Sequence, residues 1–407
     1  MLKILHTADW HIGKNLHKVP LQSEFKMFLE WLLGIINDEA IDVLLISGDI
    51  FDYANPAAED RKTYYEFLKS LVDTNTKIII TGGNHDSAGF LNAPREVLKA
   101  LDIEVIGEAT HPINQEIIPI VNDDGSVEVV IAAVPFLKDK DLRNRNEAEK
   151  FESRVDEIRY GIQNHYHQLA EIIKDQYPNV PSIAMGHLYT VGSDPSESER
   201  DIHMGNEAAV DAKIFSDAFD YVALGHIHRP QIIGKNEFIR YSGSPIALSF
   251  SEKKDIKSII ILTVDEGEIQ KPKLIEVPKN RTLDRISGNL EEVRLALEDY
   301  ENSFTLPAFL EIIVKEKEYS SVILSDFEEL KTLHQDQPNY KVIKSKVDFE
   351  HGAKDIDALF LEGENIEDLK PTEVFAKKME SENIDDASKE LMNEAFLELL
   401  SIVMNED

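Results

Sequence analysis

The chain is 407 residues long, carries 43 lysines and arginines against 76 aspartates and glutamates for a formal charge of −33, and contains no cysteine. This length exceeds one ordinary domain and predicts two or three, and the missing cysteines exclude disulfides and thiolate metal sites, in agreement with a reducing, cytoplasmic setting. The acidity argues against tight autonomous binding to nucleic acid, whose binders show a basic footprint. Strand-like runs at residues 2–8, 42–47, 77–81, 127–134, 183–185, 221–224 and 238–241 alternate with helical patterns at 23–37, 60–72 and about 147–177. Such alternation predicts a layered α/β architecture over residues 1–278. Helical stretches at 290–300 and 325–333 around an alternating run at 309–314 predict a small α+β module over 279–350. A polar linker over 351–370 then leads to helices over 371–407, where Leu391, Met392, Ala395, Phe396, Leu399, Leu400 and Val403 recur at helical spacing as one apolar stripe. Part of the acidity lies here, since residues 352–407 hold 16 acidic and 5 basic side chains, a net of −11. No signal-like segment precedes the first strand, and no apolar run approaches the ~20 residues of a membrane span, so no membrane association is expected.

Five short pieces follow these strand-like runs: Asp9-Trp10-His11, Gly48-Asp49, Gly83-Asn84-His85-Asp86, Gly186-His187 and Gly225-His226-Ile227-His228. Taken singly they are weak. An Asp-x-His triplet arises freely in turns, and Gly-Asp after an apolar run is an ordinary turn signal. An amide, an imidazole and a carboxylate in succession after Lys77-Ile78-Ile79-Ile80 have no obvious packing use, and five such pieces in series make coincidence a poor account. A shared rim of a sheet, where open α/β sheets place their sites, can collect all their side chains. Asp9 and Asp49 set two negative charges against the four positive of two divalent ions, and a bound hydroxide removes one more, which leaves a site that attracts a phosphodiester. Imidazole with carboxylate ligation suits manganese or zinc. Two ions ~4 Å apart polarise phosphoryl oxygens and lower the pKa of a bridging water to about 7, without a covalent enzyme intermediate. The expectation is a metal-dependent phosphoesterase.

The remaining histidines support the plainer reading. His6 alternates with apolar positions inside the first strand and is expected to be packed. His165 and His167 sit two residues apart in a helical pattern, on different faces. His17, His111, His203, His334 and His351 are expected at the surface or in packing roles, and Arg200 either contacts phosphate or a partner or is a solvated loop charge.

The order of the five pieces resembles the calcineurin-like metallophosphoesterase superfamily. More narrowly, Ile4-Leu5-His6-Thr7-Ala8-Asp9-Trp10-His11-Ile12-Gly13, Gly48-Asp49-Ile50-Phe51-Asp52, Ala223-Leu224-Gly225-His226-Ile227-His228-Arg229 and Tyr241-Ser242-Gly243-Ser244-Pro245 are similar to the SbcD family, nuclease subunits of bacterial SbcCD complexes. The resemblance runs nearly end to end and is weakest between about 280 and 363. It implies a metallophosphoesterase β-sandwich flanked by helices, then a small α+β capping domain that shapes access to the metals. It further implies that Asp9, His11, Asp49 and His228 hold one ion and that Asp49, Asn84, His187 and His226 hold the other, with Asp49 as the bridge. His85 stands outside that ligand set and is assigned to phosphate orientation and leaving-group stabilisation. Asp52 and Asp86 are candidates for fixing imidazole orientation, a helix-capping role being the alternative for Asp52.

By the same resemblance the ions are two divalent cations, foremost Mn²⁺ with Mg²⁺ or Zn²⁺ as alternatives. The implied activity is ATP-dependent 3′ to 5′ exonuclease action on duplex ends and endonuclease cleavage of single strands and hairpins, in DNA repair, recombination and replication. The chain has no Gly-x-x-x-x-Gly-Lys-Ser/Thr phosphate loop. ATP dependence then falls to an SbcC-type ATPase, on whose coiled-coil base the C-terminal helices would dock, in a heterotetramer built on a homodimer of this chain. The apolar stripe has a second reading, packing on the chain's own capping domain. Two rivals share the ligand set: a stand-alone phosphodiesterase for small substrates, and a non-catalytic tether of DNA ends.

Overall fold

The structure, a computed structural model, describes residues 1–122, 124–142, 151–202, 208–216, 218–351 and scattered positions between 372 and 396. It divides into two compact units. The first holds Met1–Arg285, Glu301–Glu311 and Gln337–Lys344; the second holds Ile286–Tyr300, Ile312–Asp336 and the described residues from Ser345 onward.

Two sheets build the first unit. The seven-stranded sheet runs in the order Glu268–Ile269, Ser258–Asp265, Leu2–Thr7, Val43–Ser47, Lys77–Thr81, Ile103–Ile106, with Lys273–Glu276 also paired to Ser258–Asp265. Its last four strands are parallel. The six-stranded sheet runs Gln231–Ile233, Asn236–Tyr241, Tyr221–Gly225, Ser182–His187, Val127–Ala133, Ile117–Val121, parallel in its middle four strands and antiparallel at both edges. Runs such as Val43-Leu44-Leu45-Ile46 lack a polar face because parallel strands are covered on both sides. Successive side chains therefore feed different cores. Leu5, Leu44, Ile46, Ile78 and Ile80 pack on Phe25, Phe28 and Leu32 of helix Gln22–Asp38 and on Tyr64, Phe67 and Leu71 of helix Ala58–Leu71. Ile4, Val43, Leu45 and Ile79 turn the other way, onto Val129, Ile131, Ile183, Met185 and Tyr221 of the second sheet. The outer face of that sheet, through Val130, Ala132, Ala184 and Val222, receives Ile158, Ile162, Tyr166 and Leu169 of helix Arg154–Gln176. The result is a helix, sheet, sheet, helix sandwich in which each fully buried Leu, Ile or Phe contributes about 1.5–3 kcal/mol.

Two expectations change. The five pieces do not share one sheet: three follow strands of the seven-stranded sheet and two belong to the six-stranded one. Which sheet a strand joins depends on long-range pairing that periodicity does not encode. Among the described residues of the helical pattern at 147–177, residues 151–153 precede the helix, which opens at Arg154, where the Ser153 hydroxyl accepts the Asp156 N–H at 3.1 Å and caps it.

In the second unit, Asn289 and Glu292 form a reciprocal capping box that opens helix Leu290–Glu298, and Ser320 caps helix Ser321–His334. Strands Leu283–Gly288, Ala308–Glu318 and Tyr340–His351 pair in that order as a three-stranded sheet whose residues are divided between the two units. The expected linker at 351–370 begins on His351, which closes the strand Tyr340–His351, and its other residues, with most of the expected helices at 371–407, lie outside the described residues. Residues 372, 375, 379, 389, 391–393, 395 and 396 are described and helical, and the rings of Phe375 and Phe396 stack with centroids 4.0 Å apart.

Candidate metal centre

Every expected site residue leaves the carboxyl end of a strand, and the loops behind the first two strands are laced together. Asp9 N–H donates to Gly48 O at 3.1 Å, His11 N–H to Asp49 O at 2.9 Å, Ile12 N–H to Ile50 O at 2.9 Å, and Asp52 N–H to Ile12 O at 3.1 Å. This lacing holds Asp9, His11 and Asp49 at φ of 53°, 49° and 50°, a left-handed conformation that Asp and His tolerate better than most residues. Two glycines permit the close approach of backbone and ligand. A Cβ on Gly83 would lie 2.1 Å from Asp49 Oδ1, and one on Gly225 would lie 1.9 Å from Ser47 O.

The hydrogen bonds around the rim decide where each lone pair points. A carbonyl or an ionised carboxylate only accepts, so an imidazole nitrogen bonded to one must carry the proton. His11 Nδ1 faces Asp52 Oδ1 at 3.2 Å, and His187 Nδ1 faces Ser47 O at 3.0 Å. Both rings therefore turn an Nε2 lone pair inward. There His11 Nε2 meets His228 Nε2 at 3.0 Å and Asp49 Oδ2 at 3.5 Å. His187 Nε2 lies 2.8 Å from Asn84 Oδ1 and 3.3 Å from Asp49 Oδ2, and His226 Nδ1 lies 3.1 Å from the same Asn84 oxygen. Asp9 Oδ1 accepts the His226 N–H at 2.7 Å, whereas its Oδ2 and His226 Nε2 are buried with no partner. Buried acceptors that converge without donors need a cation between them. Asp9, His11 and His228 form one triad within ligand reach, and Asp49, His187 and His226 another, with Asp49 Oδ2 facing both. This donor set of imidazoles, carboxylates and one amide fits divalent metal.

Protons occupy the same lone pairs when no metal does. Burial raises Asp9 to about 7, against the pull of neighbouring His187. Burial works to lower His187, yet the Asp49 carboxylate outweighs it and lifts that imidazole to about 9. His11 is likewise raised despite burial, through its bond to Asp52. Burial and the neighbouring imidazoles push His226 and His228 well below the ordinary range, so both stay neutral and able to ligate.

His85, Asp52 and Asp86 surround this cluster. Asp52, held down at about 2 by His11 and Lys14 against the effect of burial, binds His11 through its side chain and accepts His85 Nδ1–H through its carbonyl at 2.8 Å. His85 Nε2 is left 4.0 Å from Asp49 Oδ2. Asp86 behaves differently from the expectation that it orients an imidazole. Its carboxylate takes the N–H groups of Ile50 and Phe51 at 3.1 Å each and of Gly83 at 2.9 Å, so it fixes the loops that carry Asp49 and Asn84. His6 is packed as expected, its Nδ1 3.0 Å from the Tyr221 hydroxyl, and burial pulls its pKa down to about 3. His165 sits 2.7 Å from buried Glu116, and His17 stacks on Phe250. Sequence reasoning missed Ser198, Glu199, Glu252 and Lys257, which enclose His228. They lie in polar stretches with no periodicity or spacing to distinguish them from solvated loop.

Comparison with known families agrees with this geometry. Residues 2–230 match the calcineurin-like phosphoesterase family, and residues 279–383 match the type 5 capsule protein repressor C-terminal domain. The SbcD subunit of nuclease SbcCD from Escherichia coli (strain K12) is 31% identical over 411 residues, covering 100% of this chain and 99% of that protein. The corresponding subunit from Bacillus subtilis (strain 168) is 30% identical over 412 residues and the whole of both chains. That of Rhodobacter capsulatus is 35% identical over 291 residues, 68% of this chain and 70% of its own. Matches of this extent place the chain in the SbcD family of nuclease subunits, metal-dependent hydrolases of the calcineurin-like phosphoesterase class.

Proposed function

We propose that the chain is the manganese-dependent nuclease subunit of an SbcCD-type complex, hydrolysing DNA phosphodiesters with metal-activated water while an SbcC-type ATPase partner supplies ATP hydrolysis. The observation that carries this reading is the cage of inward acceptors: His11 Nε2 and His228 Nε2 at 3.0 Å, Asp49 Oδ2 between His11 and His187, His187 Nε2 and His226 Nδ1 about Asn84 Oδ1 at 2.8 and 3.1 Å, and the unpartnered Asp9 Oδ2. Asp9, His11, Asp49 and His228 would hold one ion, and Asp49, Asn84, His187 and His226 the other. Bound there, a divalent pair supplies Lewis-acid polarisation of phosphoryl oxygens and a nucleophilic hydroxide at neutral pH. His85 orients the scissile phosphate. Burial lowers its pKa, but a phosphate charge beside Nε2 raises it again and turns that nitrogen into a donor toward the leaving oxygen.

The substrate and partner follow from the names borne by the relatives and from the net charge of −33. A chain this acidic gains little affinity from phosphate contacts of its own, so the partner must provide them. Residues 279–350 serve as the capping domain, 351–370 as linker, and the helices at 371–407 dock on the partner's coiled-coil base, in a heterotetramer built on a homodimer. The test gives purified chain and Mn²⁺, with and without an SbcC-type partner, to hairpin DNA, linear duplex and a small phosphodiester. Partner-stimulated cleavage of the DNA substrates is expected. Cleavage of the small ester alone would select a stand-alone phosphodiesterase, and no cleavage despite two bound ions would select a tether.

A further inference from the structure

We propose that Ser198, Glu199, Glu252 and Lys257 are positioning residues that lock the ring orientation and tautomer of His228. The inference rests on the reading of His228 as a metal ligand.

Every polar group of His228 other than Nε2 is held. Its N–H donates to Glu199 Oε1 at 2.8 Å. Its carbonyl accepts from Lys257 Nζ at 2.8 Å and from Ser244 N–H at 3.1 Å. Its Nδ1 lies 2.5 Å from Ser198 Oγ, which lies 2.5 Å from Glu252 Oε1. Glu252 is 1% exposed, and its other oxygen is 2.6 Å from Lys257 Nζ.

This chain of contacts has only one polarity. Glu252, ion-paired to Lys257, only accepts, and a serine hydroxyl has a single proton. Ser198 therefore donates to Glu252 and accepts from His228 Nδ1–H, which leaves the lone pair on Nε2 facing His11 and Asp49. A carboxylate behind a metal-facing histidine ordinarily touches the ring directly, and here a serine hydroxyl carries the contact across the 4.0 Å that separates His228 Nδ1 from Glu252. Glu199 also accepts the Ser196 N–H at 2.8 Å, so one short loop both grips the His228 backbone and orients its ring.

Ser198→Ala removes the relay while taking away a single oxygen from a half-buried position. Calorimetric titration of the metal-free full chain with Mn²⁺, together with the melting temperature, compares wild type, Ser198→Ala, Ser198→Thr and His228→Ala. Ser198→Ala is expected to bind one of its two ions at least ~10-fold more weakly, the usual effect of removing such a support, with the metal-free melting temperature close to wild type, and Ser198→Thr to restore the affinity. An unchanged isotherm for Ser198→Ala, with His228→Ala defective, would overturn the relay. A wild-type isotherm for His228→Ala would instead overturn the ligand reading beneath it. Equal loss in the Ala and Thr variants would also refute the proposal, since the hydroxyl would then not be what matters.

Discussion

Metal binding to this chain should release protons, and the structure sets how many. At pH 7 an imidazole raised to about 9, as His187 is, is ~99% protonated, so ligation displaces about one proton. Asp9, raised to about 7, is half protonated and adds about 0.5. His11, whose pKa is also raised, adds a further fraction. Asp49, held well below the ordinary carboxylate range, and the neutral His226 and His228 add essentially none. The sum is roughly 1.5 to 2.5 protons for two ions at pH 7, and the apparent affinity product should rise by that many powers of ten per pH unit near neutrality. Calorimetric titration of the metal-free chain with Mn²⁺ in two buffers of different ionisation enthalpy measures the number directly. Release should fall below about one once the pH exceeds 9. Binding heats independent of buffer at pH 7 would show that the inward groups carry no protons to displace, and the raised pKa values of His187 and Asp9 would be wrong.

The same groups fix the stability of the metal-free chain. His187, raised from 6.5 to about 9, contributes stability fully present below pH 6.5 and lost as pH rises through 9, so the melting temperature without metal should decline across that window while the Mn²⁺-loaded chain shows no such decline. His85→Ala should keep both ions by calorimetry yet lose ~10²-fold or more of its hydrolytic rate, the scale of a positioned acid, and equal loss of binding and rate would show the role misassigned. Gly83→Ala places a methyl 2.3 Å from the Asp49 backbone nitrogen as well as against its carboxylate. That overpacking should cost about 1–3 kcal/mol in chemical denaturation and weaken both ions together, because Asp49 faces both triads.

Much of the site was legible because its chemistry forces conspicuous residues to the ends of strands. Asn84, His85 and Asp86 follow the three isoleucines Ile78, Ile79 and Ile80 of a strand that a parallel sheet buries on both faces, so three polar groups in a row there announce a function. The alternation around His6 likewise gave a packed histidine. The roles that failed to show depend on where the chain turns. Asp86 neighbours His85 in sequence, yet the turn at Gly83 aims its carboxylate back at the N–H groups of residues 50, 51 and 83. Ser198 and Glu252 approach His228 from polar segments far from it in sequence, and Lys257 lies among charges that otherwise read as solvated surface. Short strands such as Ile103–Ile106 and Ile117–Val121 carry no motif, and their place at sheet edges comes from long-range pairing.

The backbone shows why so many supports surround so few ligands. Among the described residues with positive φ other than glycine, Asp9, His11, Asp49 and His226 (φ 101°) belong to the proposed ligand set. Each such conformation costs on the order of 1–3 kcal/mol and persists only where its surroundings over-determine it. The lacing of the first two loops, the three N–H groups gathered by Asp86, the Asp9 carboxylate on the His226 N–H and the enclosure of His228 provide that over-determination. They act before any ion arrives, so the electron-rich cage is built at the expense of the fold and its repulsion is relieved on metal binding. A site whose backbone is arranged in this way holds the donors in place beforehand, so binding has little ordering left to do and chiefly exchanges protons for cations. Its local positive charge, once loaded, then lets a chain of net charge −33 receive a phosphodiester at all.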